Sequence, residues 1–279
     1  MSVAIVTDST AYLPATTARD AGVVVVPLRV VVGGRSFEEG VDIDSRAVAA
    51  ALRAWTPVTT SRPSPQALLD AYIRAADAGA EAIVSLHISA EMSGTYESAV
   101  LAARESPVPT QVVDSRSLGM GLGFLVVQAA ASAAAGRSAD DVATSARRRA
   151  EVTRTYFYVA TLEHLRRGGR IGPAAALLGS ALAIKPLLVL QDGHIAPLEK
   201  VRTSTRALAR LEELAIAAAS GAADVAVHHL DAPDAAERLA QRLRAALPDA
   251  PVVVGEVGAV VGAHVGPGML AVVVSPRLG

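Results

Sequence analysis

The 279 residues are 51% hydrophobic, carry 26 basic and 27 acidic side chains for a formal net charge of −1, and include no cysteine. Interspersed charge leaves no electrostatic footprint for nucleic acid or an anionic membrane, and the lack of cysteine excludes disulfides, thiolate metal sites and a cysteine nucleophile while fitting a reducing cytoplasm. The length holds one large core or two ordinary ones, and two domains are expected.

In chain order, Val3 to Asp8 reads as a strand with no basic stretch or small-residue cleavage site ahead of it, so no signal peptide is expected. Ser9 and Thr10 make a turn, and Ala15 to Ala21 a short helix. Val23 to Val32 is one long β-branched run that turns at Gly33-Gly34 into a hairpin reaching Glu38-Glu39-Gly40. Asp44 caps a helix to about Trp55. The tract from Pro57 to Pro65 is extended or turned, because a residue before proline is pushed out of the helical region, and Ser64-Pro65 starts a helix through Ala78.

Ala82 to Ile88 reads as a buried strand, and Ser93-Gly94-Thr95 after it opens a helix. Free amides and small hydroxyls meet there at the carboxyl end of a strand, the edge of an α/β sheet where ligands sit and where a helix start favours an anion. Ser93 serving only as a helix cap explains the same pattern, and on this stretch alone it is the simpler reading. Thr110 to Val113 is the next strand. The charge-free run between Arg116 and Arg137 is rich in Gly, Ala and Ser, which suits a buried helix rather than a membrane span. A helix from about Ala139 to Thr153 completes an alternation that implies a parallel sheet covered on both faces.

The pattern changes near Tyr156. Thr155 to Thr161 reads as a strand, Leu165 to Pro173 as a basic, glycine-punctuated loop, and Ala174 to Ala183 as an alanine-rich helix. Ile184 to Gln191 and His194 to Val201 pair across Asp192-Gly193, Thr203-Ser204 caps a helix to Ser220, Val225 to Leu230 is a strand and Pro233 to Ala246 a helix. Pro251 to Val257 and Met269 to Ser275 are the last strands, separated by a loop from Gly258 to Gly268. The expectation is an α/β protein with an N-terminal α/β domain over 1–155 and a C-terminal α+β domain over 156–279, closely packed.

Seven strings then occur together in order: Val3 to Pro14 with its Val-Thr-Asp-Ser-Thr core, Val26-Pro27-Leu28-Arg29-Val30, the tract from Thr60 to Pro65, Ser93-Gly94-Thr95-Tyr96, Val113-Asp114-Ser115, Gly168-Gly169-Arg170-Ile171 with Ile184-Lys185-Pro186, and Gly262 to Gly268. Over essentially its whole length the chain resembles the DegV family, the fatty-acid-binding B subunits of bacterial fatty acid kinase. The resemblance implies a two-domain DegV-like fold with a ligand tunnel between a parallel-sheet domain and a C-terminal domain that binds the lipid tail. It implies a cytoplasmic carrier that is not itself catalytic and has no cofactor, with a long-chain fatty acid as ligand. The carboxylate would be held by Thr60, Ser61, Ser93 and His264, and Arg170 would sit at the mouth of the pocket, presenting the acid to a separate ATP-dependent kinase subunit. The acyl-phosphate would pass to a phospholipid-synthesis acyltransferase, with transient rather than integral contact at a membrane surface. Arg62 stands where many members have glutamine, and Ala263 and Val265 flank His264 where some have threonine.

Elementary chemistry supports such a site. A carboxylate accepts roughly four hydrogen bonds, and hydroxyls, helix-start amides and an imidazole can replace its water. Each buried methylene gains about 0.8 kcal/mol, so a long acyl chain offers on the order of 10 kcal/mol gross. The alanine-rich run from Ala174 to Ala183 would leave room for a tail, although close helix packing is the commoner reason for such composition.

Two other functions compete. A nucleotide-binding enzyme is suggested by Gly119, Gly121 and Gly123 after a strand, but the spacing is not the dinucleotide fingerprint and no P-loop occurs. A serine hydrolase would use Ser93 as nucleophile, His264 as base and an aspartate such as Asp114 as orienter, without the usual Gly-x-Ser-x-Gly elbow. Apart from the family, His264 suits a site and packing equally, Arg166, Arg167 and Arg170 read as a solvated cluster, and Asp8 and Asp114 as formers of Asx turns. His228 and His229 point to opposite faces of a strand, which disfavours a shared metal, and no metal-ligand spacing stands out.

Overall fold

The computed structural model describes residues 2–177, 185–219 and 221–278, without the Lys185 side chain. The chain divides into two compact units, Met1–Arg29 with Ser61–Glu151, and Val30–Thr60 with Val152–Gly279. This differs from a single cut near residue 155, because Val30–Thr60 groups with the second unit. The reason is its side chains: Glu39, Ser45 and Arg53 are answered by Val260, Glu256 and Asp231.

In the first unit the strands Val24–Val26, Val3–Asp8, Ala82–His87 and Thr110–Asp114 lie in that order, all parallel. Alternate side chains serve opposite faces. Ile5, Val84 and Leu86 pack with Leu122 and Leu125 of the Met120–Ala134 helix and Val142 and Ala146 of Ala139–Val152. Val6 and Ile83 pack with Leu68 and Tyr72 of the Pro65–Asp77 helix and Ala99 and Ala102 of Thr95–Ala103. The covered parallel sheet expected from the alternation is present. The chain leaves Val3–Asp8 for its neighbour on one side and returns later as Ala82–His87 on the other, so the strand order reverses between these two. That reversal is where such sheets bind ligands, outside the carboxyl ends of the strands.

The expected run Val23 to Val32 is two strands, Val24–Val26 and Arg29–Val32. Pro27 has no N–H to continue a ladder, and the Leu28 amide donates to Ser9 Oγ at 3.0 Å instead. Gly121 and Gly123 lie inside the Met120–Ala134 helix, and a Cβ on Gly123 would stand 2.6 Å from the Ala11 carbonyl oxygen. Close packing therefore explains Gly123, and the nucleotide-loop reading loses its footing.

The second unit has a six-stranded mixed sheet in the order His194–Val201, Lys185–Gln191, Arg154–Tyr158, Leu270–Pro276, Ala223–His229, Val252–Glu256. The helices Ser204–Ala218 and Pro233–Ala246 cover one face, packing Leu211, Ala215, Leu239 and Leu243 against Leu187, Val225 and Val272. Asp192 and Gly193 close the hairpin with φ of 52° and 81°, the left-handed pair that a two-residue turn requires. A three-stranded sheet has the order Arg35–Glu38, Arg29–Val32, Val58–Ser61.

Two expected loops contain helices. Glu163–Arg167 is helical, with Glu163 accepting from both Arg166 and Arg167 one turn on. Ala259–Val265 is also helical, starting after an extended Gly258 and ending at Gly266 with φ 74°. The expected alanine-rich helix begins as a 3-10 turn, Gly172–Leu177, and the rest of its expected span, 178–183, lies outside the described residues. Among the described residues no helix is long and apolar enough to cross a membrane.

Candidate functional site

In the second unit, the strand Val58–Ser61 carries Thr60 to the helix Ala259–Val265, where Thr60 Oγ1 and His264 Nε2 share a hydrogen bond of 2.8 Å. The other ring nitrogen, Nδ1, is buried without a hydrogen-bond partner among the described residues. It lies so close to Gly168 that a Cβ there would be 2.0 Å away. His164 sits over Gly266 in the same manner, with its Cδ2 2.2 Å from where a Cβ would stand. Two glycines are thus what let two imidazoles approach. Nη1 of Arg170, an exposed residue, donates to the Gly168 carbonyl at 2.7 Å.

Burial first, and the Arg170 charge second, push His264 down to about 4. Burial and then Arg167 lower His164. At neutral pH His264 is therefore an uncharged imidazole with one N–H. If Nε2 carries the proton and donates to Thr60 Oγ1, the threonine hydroxyl is left to donate onward, and Nδ1 is a bare acceptor rather than an unanswered N–H.

These depressed histidines carry a pH prediction. His228, buried on Ala223–His229 and bonded to the Gly255 carbonyl, is also pushed down to about 4, mainly by burial. Above pH 6.5 His228 and His264 are neutral folded and unfolded alike. Between 6.5 and 4 the unfolded chain takes up protons that the folded chain refuses, so stability is lost as pH falls. For His228 the loss is on the order of 2 kcal/mol at pH 5. Urea midpoints should drop from pH 7 to pH 5, and less steeply in His228→Asn; equal slopes would refute the assignment.

In the first unit, Ser93 Oγ shares a 2.8 Å hydrogen bond with Thr95 Oγ1. The helix begins at Thr95, and Gly94 in the cap position makes no side-chain cap bond. Ser93 is therefore not a helix cap, and the simpler reading fails. Ser61, exposed, follows Thr60 in the chain, and Nη1 of the next residue, Arg62, donates to the Gly94 carbonyl at 3.3 Å. Of the expected site residues, Thr60 and His264 touch, Arg170 acts on His264 through its charge, and Ser61 and Ser93 belong to the first unit. Sequence reasoning gave no site role to His164, Gly168 or Gly266, although Gly168 and Gly266 fall within the strings that carry the family resemblance. No local pattern links them, since each glycine answers a histidine on another helix.

The strand ends ahead of Ser93 are tied by a buried polar chain. Asp8 Oδ1 accepts from the Thr10 amide at 3.0 Å and its hydroxyl at 2.5 Å; Oδ2 accepts from the Ile88 amide at 2.9 Å and bonds His87 Nδ1 at 3.0 Å. His87 Nε2 meets Ser85 Oγ at 2.7 Å, and the Tyr72 hydroxyl donates to the same oxygen at 2.9 Å. Burial raises Tyr72 to about 12 against the Ser85 bond. The expected Asx turn at Asp8 is present, but it is one contact of several.

A hydrolytic triad does not form among these groups. A triad needs a carboxylate on the second ring nitrogen of the base, whereas His264 Nδ1 has no partner among the described residues and Asp114 Oδ1 accepts from the amides of Ala90 and Arg116. Among the described residues no group of three or more His, Asp or Glu side chains is arranged to hold a metal ion.

Comparison with known proteins gives a consistent assignment. Residues 2–277 match the family model described as "uncharacterised protein, DegV family". A DegV domain-containing protein of Streptomyces coelicolor is 58% identical over 277 residues, covering 99% of each chain. The structure superposes on a DegV family protein of Thermus thermophilus, described as fatty acid binding, with a TM-score of 0.94 and 34% identity over 99% of this chain and 100% of that one. Against DegV of Bacillus subtilis, described as a fatty acid binding protein, the TM-score is 0.92 and the identity 31%, over 99% and 100% of the two chains. The chain belongs to the DegV family.

Proposed function

We propose that this chain binds a long-chain fatty acid, with Thr60, Ser61, Ser93 and His264 on the carboxylate and the tail in the second unit. The observation that carries the reading is the Thr60–His264 pair beside Arg170. A buried, neutral imidazole can orient the Thr60 hydroxyl as a donor toward a carboxylate. The Thermus thermophilus and Bacillus subtilis proteins, described as fatty acid binding, have the same fold. Carboxylate bonds fix orientation in this reading, and tail burial supplies most of the affinity.

The reading extends to delivery. The bound carboxylate is presented to an ATP-dependent kinase, which adds a phosphoryl group to a carboxylate oxygen, and an acyltransferase of phospholipid synthesis consumes the acyl-phosphate. Arg170, exposed beside the His264 pair, is the residue assigned to presentation. The test is native mass spectrometry of the purified chain, then denaturing release and identification of the ligand. One stoichiometric fatty acid is expected, retained in Arg170→Ala while phosphorylation by such a kinase falls. A chain that stays empty after exposure to a panel of fatty acids overturns the reading, and lost lipid binding in Arg170→Ala overturns the division of roles.

A further inference from the structure

The segment Val30–Thr60 meets the helix that carries His264 at both ends. At one end Thr60 bonds the ring; at the other, the buried Glu39 accepts a hydrogen bond from the Val260 amide at 2.7 Å through Oε1. Between them, Ser45 Oγ donates to Glu256 Oε2 at 2.8 Å just ahead of the helix, and Val48 packs toward Gly262, its Cγ1 3.9 Å from where a Cβ would stand.

Ala259–Val265 is seven residues long. A helix that short has few internal hydrogen bonds to hold its axis, and its first amides point out of it unanswered unless something caps them. Gly258, in the cap position, offers no side chain. Glu39 takes that role from 221 positions away in sequence. A carboxylate there is both acceptor and counter-charge to the amide end. Its burial is costly unless the amide is where it must be, so the bond constrains the helix as much as it satisfies the side chain. A tilt or slide of the helix start moves His264, close to its far end, off a contact of only 2.8 Å.

We propose that Glu39 is a positioning residue for head-group recognition: it locks the start of the helix so that the His264 ring meets the Thr60 hydroxyl. This rests on the fatty-acid reading above. Palmitic acid and 1-hexadecanol share a chain and differ in the head, so their affinities separate recognition of the carboxylate from burial of the tail. Glu39→Ala is expected to bind palmitic acid at least tenfold more weakly while changing 1-hexadecanol less than threefold. Glu39→Gln keeps an acceptor oxygen and should recover most of the loss. Nitrogen resonances of the His264 ring should move in Glu39→Ala and return in Glu39→Gln, with those of His228 unchanged, a readout that needs no ligand. Equal losses for both ligands, an unaltered acid affinity, or a His264 ring that does not respond overturns the proposal. A wild-type chain that binds neither ligand overturns the fatty-acid reading instead, and the ring resonances still decide the role of Glu39. If Glu39→Ala does not fold, Glu39→Asp, shorter by one methylene, should fold and lose acid selectivity in part; unchanged selectivity there counts against the proposal.

Discussion

Asp8→Ala is expected to destabilise the first unit by about 3–5 kcal/mol, more than any other single change in the polar framework of that sheet. The carboxylate answers four groups: the Thr10 amide and hydroxyl, His87 Nδ1 and the Ile88 amide. Asp8, Thr10 and His87 are fully buried and Ile88 nearly so, so water cannot replace the lost acceptor. Each orphaned buried donor costs roughly 1–3 kcal/mol, and alanine adds a cavity. Asp8→Asn should do only part of the damage, since it keeps one acceptor oxygen while turning an amino group on either Thr10 or the Ile88 side. His87→Ala should cost less than Asp8→Ala, because it leaves the two amide bonds to Asp8 in place. Urea denaturation of the three variants checks the order. A loss below about 1 kcal/mol for Asp8→Ala would mean that the network is incidental to the sheet.

The network shows where a sequence is legible. Asp8 sits at a strand end before a serine, and the Asx turn can be read from that alone. The reach of Asp8 to Ile88 and His87 crosses two strands about 80 positions apart, and no local pattern reports it. Three caps are local and legible: Asp44 accepts from Ala47, Ser64 from Ala67 and Thr203 from Arg206, as their residue types require, whereas the cap expected at Ser93 is not made. The strand–helix alternation of the first unit is likewise a short-range pattern, and so is the Asp192-Gly193 turn. The helix under His264 is different. Its residues, Ala-Val-Val-Gly-Ala-His-Val, have weak helical preference and flanking glycines, so they read as loop; packing against Val48 and Leu230 and the Glu39 bond decide otherwise. The grouping of Val30–Thr60 with residues beyond Val152 is invisible for the same reason. At the site, the residue types alone left Ser93 as a cap and His264 undecided. The family resemblance named them, and the structure supplies what neither could, the Thr60 contact and the two glycines that admit the imidazoles.

Those glycines give the other large effect. Gly168→Ala is expected to weaken binding of a long-chain fatty acid by about ten- to a hundredfold, the loss of one charge-assisted hydrogen bond of roughly 1.5–3 kcal/mol. Backbone strain does not enter, because Gly168 has φ −75° and ψ −6°, which alanine adopts freely. The effect comes through space. The new methyl would stand 2.0 Å from His264 Nδ1 and 2.7 Å from Cε1, and the ring must turn away from Thr60. Gly169 next to it is the control: its φ of 69° penalises any side chain, but no described residue lies within 4 Å of a Cβ there. Gly169→Ala should therefore lower stability by about 1–2 kcal/mol and leave fatty-acid affinity nearly unchanged. Gly168→Ala should lower stability too, through the displaced ring and the broken Thr60 bond, but unlike Gly169→Ala it should lose the acid while an alcohol of the same chain length still binds. If both variants lost affinity in proportion to their stability, the ring contact would be a packing detail and the carboxylate would have to be held elsewhere. If they divide as expected, the position of His264 over Gly168 is what turns a buried, neutral imidazole into part of an anion site.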